Sequence, residues 1–332
     1  LRDGSHYLRT ELEVTAQQDV AMRGLVAMKY TYDNQFGKQL PQVVGNTRGA
    51  VIANDKIFAG LETPMGINTV ASAPTVETSQ LQGLWSRQTT LAAGKTWQVG
   101  AVVGLIAPDQ ARRSFLAYSE RERAVPWRAT PVYISWYELN IDRNNSKDYS
   151  ENMTSKQCVD VIKHWNKDFF KKYKKEVKAF VFDDGWDEYG TWTFNKNFSN
   201  GFKDMDKEAR KMGSGIGAWL GPVGGYGRSG DYRRAYWKDN GGMQLSNPEY
   251  YKMFLDACTY MIKNYDFRFF KYDGISAQFS AVGPDPGTRG EENAEAIINI
   301  ERETRKIKED IFLNTTVGTW ASPFWFQFTD AV

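Results

Sequence analysis

The spacing of apolar and polar positions changes character near residue 126. Before it, short runs alternate with period two and break at Gly, Asn and Asp. Residues 49–61, 78–90 and 96–106 each read as strands bounded by turns. The break Asn54-Asp55-Lys56 between two apolar runs predicts a hairpin. An antiparallel β-sandwich over residues 1–126 follows, with a charged, more helical stretch at 111–123 as the connection.

From Thr130 strands and helices alternate. Strands are expected at 131–139, 179–184, 215–220, 267–272 and 311–317, with 324–329 as a sixth. Between them lie helices at 154–174 and 202–212, a glycine-rich loop at 221–246, a helix opened by Asn247-Pro248-Glu249, a loop at 284–290 and a charged helix at 291–309. Asn247 is a capping residue, Pro248 suits the first turn, and Glu249 faces the positive helix end. Such alternation specifies a parallel sheet. A closed (β/α)8 TIM barrel needs eight strands and roughly 250 residues. The expected fold class is therefore β plus α/β: a sandwich over 1–126, then a barrel over 127–332 truncated after strand five or six, or else an open sheet.

Composition narrows the function. Against 42 Lys and Arg stand 40 Asp and Glu, a net charge of +2, which gives no electrostatic reason to bind nucleic acid or an anionic membrane. No apolar run is long enough to span a bilayer. Aromatic residues make up 14% of the chain, with 11 Trp and 17 Tyr, and flat rings with a polar edge suit sugar faces. Cys158 and Cys258 fall in expected helices and read as buried thiols. His6 and His164 are far apart, so neither a catalytic metal nor another cofactor is expected. The chain opens Leu-Arg-Asp-Gly, which reads as a processed or excised form. Asn144, Asn152, Asn197 and Asn314 lie in glycosylation sequons, relevant only in a eukaryotic secretory route.

Candidate chemistry collects at strand ends. The run Phe267-Arg-Phe-Phe-Lys-Tyr-Asp-Gly places Asp273 at the carboxyl end of a strand, the end where barrel loops converge. Lys271, two residues earlier, projects from the same face and is expected to keep Asp273 ionised, as a carboxylate nucleophile requires. The plainer alternative is an ordinary ion pair at a strand end. Asp183 and Asp184 end the 179–184 run; side chains alternate along a strand, so at least one should face the loops. The alternative for them is a helix-capping turn.

Taken together, Ser135-Trp136-Tyr137-Glu138, Asp183-Asp184-Gly185-Trp186, Ser246-Asn247-Pro248-Glu249 on the approach to the next acidic strand, and Lys271-Tyr272-Asp273-Gly274 at its end, in this order along the chain, resemble the retaining α-galactosidases and α-N-acetylgalactosaminidases of glycoside hydrolase clan D, families 36 and 27. The likeness runs from about Thr130 to Val332. It implies that Asp273 is the nucleophile that forms a covalent glycosyl-enzyme. It implies that Lys271 holds sugar hydroxyls and that Asp183 and Asp184 accept the hydroxyls at positions 4 and 6. Trp136, Trp186 and Trp219 would offer ring faces to the sugar. The substrate would be an oligosaccharide or glycoconjugate ending in α-galactose or α-N-acetylgalactosamine, and the compartment secreted or periplasmic.

A retaining glycosidase also needs a second carboxyl about 5 to 5.5 Å from the nucleophile. The resemblance places it after a sixth strand, so Asp330 lies too early and the acid/base is expected beyond Val332; residues 1–332 alone should then hydrolyse ordinary glycosides poorly. Thr315, Thr316, Gly318 and Thr319 would lie near the group at sugar position 2. Two other readings stay open: an α-glycosidase of another barrel family with gluco specificity, and a carbohydrate-binding barrel without catalysis.

Overall fold

The computed structural model describes residues 3–73, 75–87, 89–139, 153–275, 289–316 and 318–332. The sequons at Asn144 and Asn152 and most of the expected 284–290 loop lie outside them. The chain divides into two compact units. One holds Leu1–Pro126, Glu291 and Trp320–Phe328; the other begins at Trp127 and also includes Glu292–Thr319 and Thr329–Val332.

The first unit is built from antiparallel sheets. A five-stranded sheet runs in the order Tyr7–Thr15, Thr96–Leu105, Ile57–Leu61, Val51–Ala53, Gln42–Val44, and a three-stranded sheet in the order Leu25–Asp33, Thr78–Trp85, Ile67–Ala71. Alternation explains the long members: along Thr78–Trp85 and the start of Thr96–Leu105, every second residue is buried. The hairpin at Asn54 forms because the Asn54 side-chain oxygen accepts from the backbone N–H of Lys56 (2.8 Å) and Ile57 (2.9 Å), a local turn that the short amide favours. The core packs Tyr7, Val51, Phe58, Val102 and Ile106 against Tyr118 of the helix Ala111–Glu122 and against Phe324. Residues 324–329, expected as a strand, instead form a 3-10 helix over Pro323–Gln327. Pro323 fixes its first turn and the Ser322 hydroxyl accepts from Phe324 N–H.

The second unit is a curled half-barrel of five parallel strands in chain order: Val132–Ile134, Ala179–Phe182, Gly215–Leu220, Phe267–Tyr272 and Phe312–Thr315. An isolated parallel bridge joins Asn314 to Ala331 beside the last of them. Ala179–Phe182 and Gly215–Leu220 are buried at every position, as parallel strands covered on both faces must be. Ala179, Val181 and Phe269 form an apolar cluster, with Val132, Ile134 and Phe312 packed against it. Above it, toward the strand ends, the side chains turn polar.

Three helical segments depart from expectation. The first strand stops at Ile134, because the Ser135 carbonyl accepts from Glu138 and Leu139 N–H and winds Trp136–Leu139 into a helical turn. The helix at 154–174 starts with a reciprocal capping box between Thr154 and Gln157, but loosens into a π-helical stretch at Trp165–Phe170. The glycine-rich loop contains a helix, Gly227–Tyr236. Downstream, Asn247 caps Pro248–Asn264 as read from sequence. Cys158 and Cys258 are buried free thiols on helices, and burial pushes Cys258 up to about 12. Among the described residues no helix is long and apolar enough to cross a membrane.

Candidate active site

The ends of four parallel strands and the loops after them wall a cavity of about 340 Å³, lined by Ile134, Trp136, Tyr137, Asp183, Asp184, Trp219, Tyr226, Lys271 and Asp273. That volume falls at the lower end of the range for small-molecule sites, about 300–1,000 Å³. Its floor is carboxylate: Asp183 and Asp184 are each 1% exposed and Asp273 is 5% exposed. Buried carboxylates persist only where donors satisfy them, and each of these three has its own set.

Asp273 leaves its strand with its N–H bonded to the Leu220 carbonyl. Its Oδ2 accepts from Trp219 Nε1 and its Oδ1 from the Tyr226 hydroxyl, both at 2.9 Å. Burial, then the neighbouring Asp273 carboxylate, pushes the Tyr226 hydroxyl well above the ordinary phenol range, so Tyr226 stays a donor. Gly274 follows at φ +76°, a left-handed turn open to glycine at little cost.

Lys271 turns to Asp183, with Nζ 2.8 Å from Oδ2. The expectation that it would pair with Asp273 is therefore corrected. Asp273 lies between two neutral donors, while the ammonium reaches across to the second strand. Asp183 is also anchored through its backbone, whose N–H donates to Ser135 Oγ at 2.8 Å, and its Oδ1 accepts from Asp184 N–H at 2.9 Å. Asp184 takes two contacts from Arg233, one from Nη1 at 3.2 Å and a shorter one from Nη2.

The three expected tryptophans separate. Trp219 lines the cavity although it is 2% exposed. Trp136 lines it from the helical turn. Trp186 does not: it is fully buried among Trp192, Phe194 and Phe202, with Nε1 donating to the Trp219 carbonyl at 3.0 Å. Its ring supports the wall from behind, because the positive φ of Gly185 (+124°) turns the chain after the paired acids. Thr315, Thr316, Gly318 and Thr319 are not among the lining residues. Thr315 is buried at the last strand and Thr319 Oγ1 caps the Thr316 carbonyl at 2.8 Å.

Sequence reasoning missed Tyr226 and Arg233. Both sit in the stretch read as a loop, where Gly221, Gly224, Gly225 and Gly227 hid the helix. One of these glycines is required: Gly225 has φ +76°, and a Cβ there would lie 2.6 Å from Trp219 Cη2.

No family model matches the sequence, and no curated protein matches it. Solved structures do match in fold. The GH36 α-galactosidase AgaB from Geobacillus stearothermophilus superposes with a TM-score of 0.56 at 13% identity, covering 96% of this chain and 50% of that one. The GH36 α-galactosidase AgaA from the same organism, in complex with 1-deoxygalactonojirimycin, gives 0.56 at 11% identity, covering 98% and 49%. The galactosidase domain of the α-galactosidase-sucrose kinase AgaSK gives 0.58 at 12% identity, covering 95% and 45%. The chain thus spans about half the length of these structures or slightly less, and at such identities the likeness is one of fold.

Proposed function

We propose that the protein is a glycoside hydrolase of the retaining type that removes terminal α-linked galactose or N-acetylgalactosamine. The observation that carries this reading is that three carboxylates and one ammonium group wall the same sugar-sized cavity. The fold supports it: antiparallel sheets followed by a parallel half-barrel match α-galactosidases. We read these as a β-sandwich over 1–126 and part of a (β/α)8 barrel over 127–332, acting in a secreted or periplasmic setting.

In this reading Asp273 attacks the anomeric carbon and the C–O bond to the leaving group breaks as the Asp273–sugar ester forms, a nitrophenol departing as its anion; water then hydrolyses the ester and returns the Asp273 carboxylate. The single rotatable Tyr226 hydroxyl is the contact that yields one oxygen for attack, while Trp219 keeps the other oriented. Asp183, Asp184 and Lys271 hold the sugar hydroxyls. Paired polar contacts of this kind discriminate strongly, because a sugar lacking the matching hydroxyl leaves buried groups unsatisfied. The general acid is not assigned to these residues, since the oxygens of Asp183 and Asp184 accept from Lys271 and Arg233. Nor is it Asp330, whose oxygens are committed to Arg128, Arg305 and the Leu313 N–H.

Hydrolysis of nitrophenyl α-galactoside, its N-acetylgalactosamine counterpart and the α-glucoside by the protein tests this. Turnover of either of the first two, with the glucoside poor, is the expected result. Preference for the glucoside favours a gluco-specific enzyme. Saturable binding of galactosides with no turnover leaves a carbohydrate-binding protein.

A further inference from the structure

Behind the cavity lies a side chain that never touches it. Arg233 is fully buried in the helix Gly227–Tyr236. Its Nε and Nη2 grip Asp187 at 2.8 and 2.6 Å, its Nη1 and Nη2 reach Asp184, and Nη1 also donates to the Gly224 carbonyl at 3.0 Å. Three rings surround the guanidinium, those of Tyr189, Trp192 and Trp219, at 5.2, 5.1 and 5.2 Å. Trp192 holds its place at φ +53°, a left-handed conformation that a bulky residue rarely adopts. Its Nε1 is bonded to the Tyr250 hydroxyl at 3.0 Å.

We propose that Arg233 is the positioning residue of the sugar site, fixing the Asp184 carboxylate and the Trp219 donor to Asp273 together and thereby setting the preference between epimers at the 4-hydroxyl. The inference rests on the α-galactoside reading above and adds to it the group behind the wall. A planar guanidinium suits the task, since it fills two carboxylates in one plane and lies over an indole at the same time. Asp187 fixes that plane from the far side. The cluster therefore joins the two halves of the cavity: through Asp184 it sets the hydroxyl acceptors, and through the Trp219 ring it sets the N–H that holds Asp273 Oδ2. A purely structural ion cluster would contribute to stability without ordering ligands by configuration.

The test uses Arg233→Lys, which keeps the charge and loses the fork, and Asp187→Asn, which keeps the shape and frees the guanidinium plane. Each is titrated with 1-deoxygalactonojirimycin and with its gluco epimer, with Tm recorded in parallel. Arg233→Lys should weaken the galacto ligand on the order of tenfold or more and shrink the ratio between epimers, because one oriented charge-assisted pair is lost. Asp187→Asn should move both the same way by a smaller factor, and the double variant should fall short of the product, as coupled neighbours do. Should Arg233→Lys fail to fold, Asp187→Asn carries the test by itself. A drop in Tm with affinity and epimer ratio unchanged in the folded variants overturns the proposal and leaves Arg233 structural. If the unaltered protein binds neither epimer, the α-galactoside reading falls, and this inference falls with it.

Discussion

Two buried ion clusters in the second unit are near mirror images in charge. In one, the Arg233 guanidinium lies between two carboxylates, Asp184 and Asp187. In the other, the Asp330 carboxylate lies between two guanidiniums, with Arg128 Nη1 at 2.7 Å and Arg305 Nη2 at 2.6 Å, and it also accepts from Leu313 N–H at 2.9 Å. Arg128 donates further to the carbonyls of Asp310 and Ile311. These partners of Asp330 are arginines and a strand backbone, and the cluster clips the last parallel strand to the chain around it. Asp184, by contrast, takes Arg233 on both carboxylate oxygens and still walls a cavity. The acids are buried and ion-paired in both places, although the arginines around Asp330 are partly exposed and Arg233 is not. What separates a site from a clip is whether the paired acid also lines a space that a ligand can enter.

That contrast can be broken by experiment. The largest effect is expected from Asp273→Asn, which removes the carboxylate proposed as nucleophile: kcat should fall roughly a thousandfold or more, with galactoside affinity and Tm close to unchanged. Undiminished kcat in that variant would end the hydrolase reading. Lys271→Met leaves Asp183 without its cation, and stranding one member of a buried pair costs about 3–5 kcal/mol. Both Tm and galactoside affinity should drop together, read by thermal melts and titration. Asp330→Asn should cost roughly 3 kcal/mol of stability by the same physics, but leave the affinity of the cavity intact. A loss of affinity there would mean that the two clusters are not separable.

A further effect is expected at Glu301, which lies beside the Asp330 cluster and feels its charges. It is fully buried, and burial pushes its carboxyl up to about 8, the Arg305 charge and the Thr329 hydroxyl offsetting only part. With the folded value above the unfolded one, the native state holds the extra proton at intermediate pH. This contribution to stability is therefore full below about pH 4 and is lost as pH rises toward 8, by about 1.4 kcal/mol per unit. Glu301→Gln should flatten that slope in urea unfolding at pH 5 and pH 8, gaining more stability relative to the unaltered protein at the higher pH than at the lower. An unchanged slope would show that Glu301 does not hold the proton.

How much of this was legible in the sequence depended on how far apart the partners lie. Gly215–Leu220 was readable to the residue, because an apolar run between polar turns is a local signal. Asp183, Asp184, Lys271 and Asp273 were also readable as strand-end groups, and the cavity gathers all four. Their pairing was not. The bond from Lys271 to Asp183 spans 88 residues and that from Arg233 to Asp184 spans 49, distances over which periodicity carries no information. Trp186 was misread for a related reason: an aromatic after paired acids and a glycine looks like a platform, and only its contact with the Trp219 carbonyl shows it to be core. Arg233 was hidden by its neighbours, since the glycines that let the chain fold tightly over Trp219 also mask the helix that carries it.

The central claim is that Asp183, Asp184, Lys271 and Asp273 serve one hexose. Calorimetric titration of the protein with 1-deoxygalactonojirimycin and with its gluco epimer, repeated on Asp183→Asn, tests it without requiring turnover. The account predicts saturable one-to-one binding, a preference of about tenfold or more for the galacto ligand, and loss of that preference in the variant. Equal affinity for the two epimers, or full retention of the preference in Asp183→Asn, would contradict it.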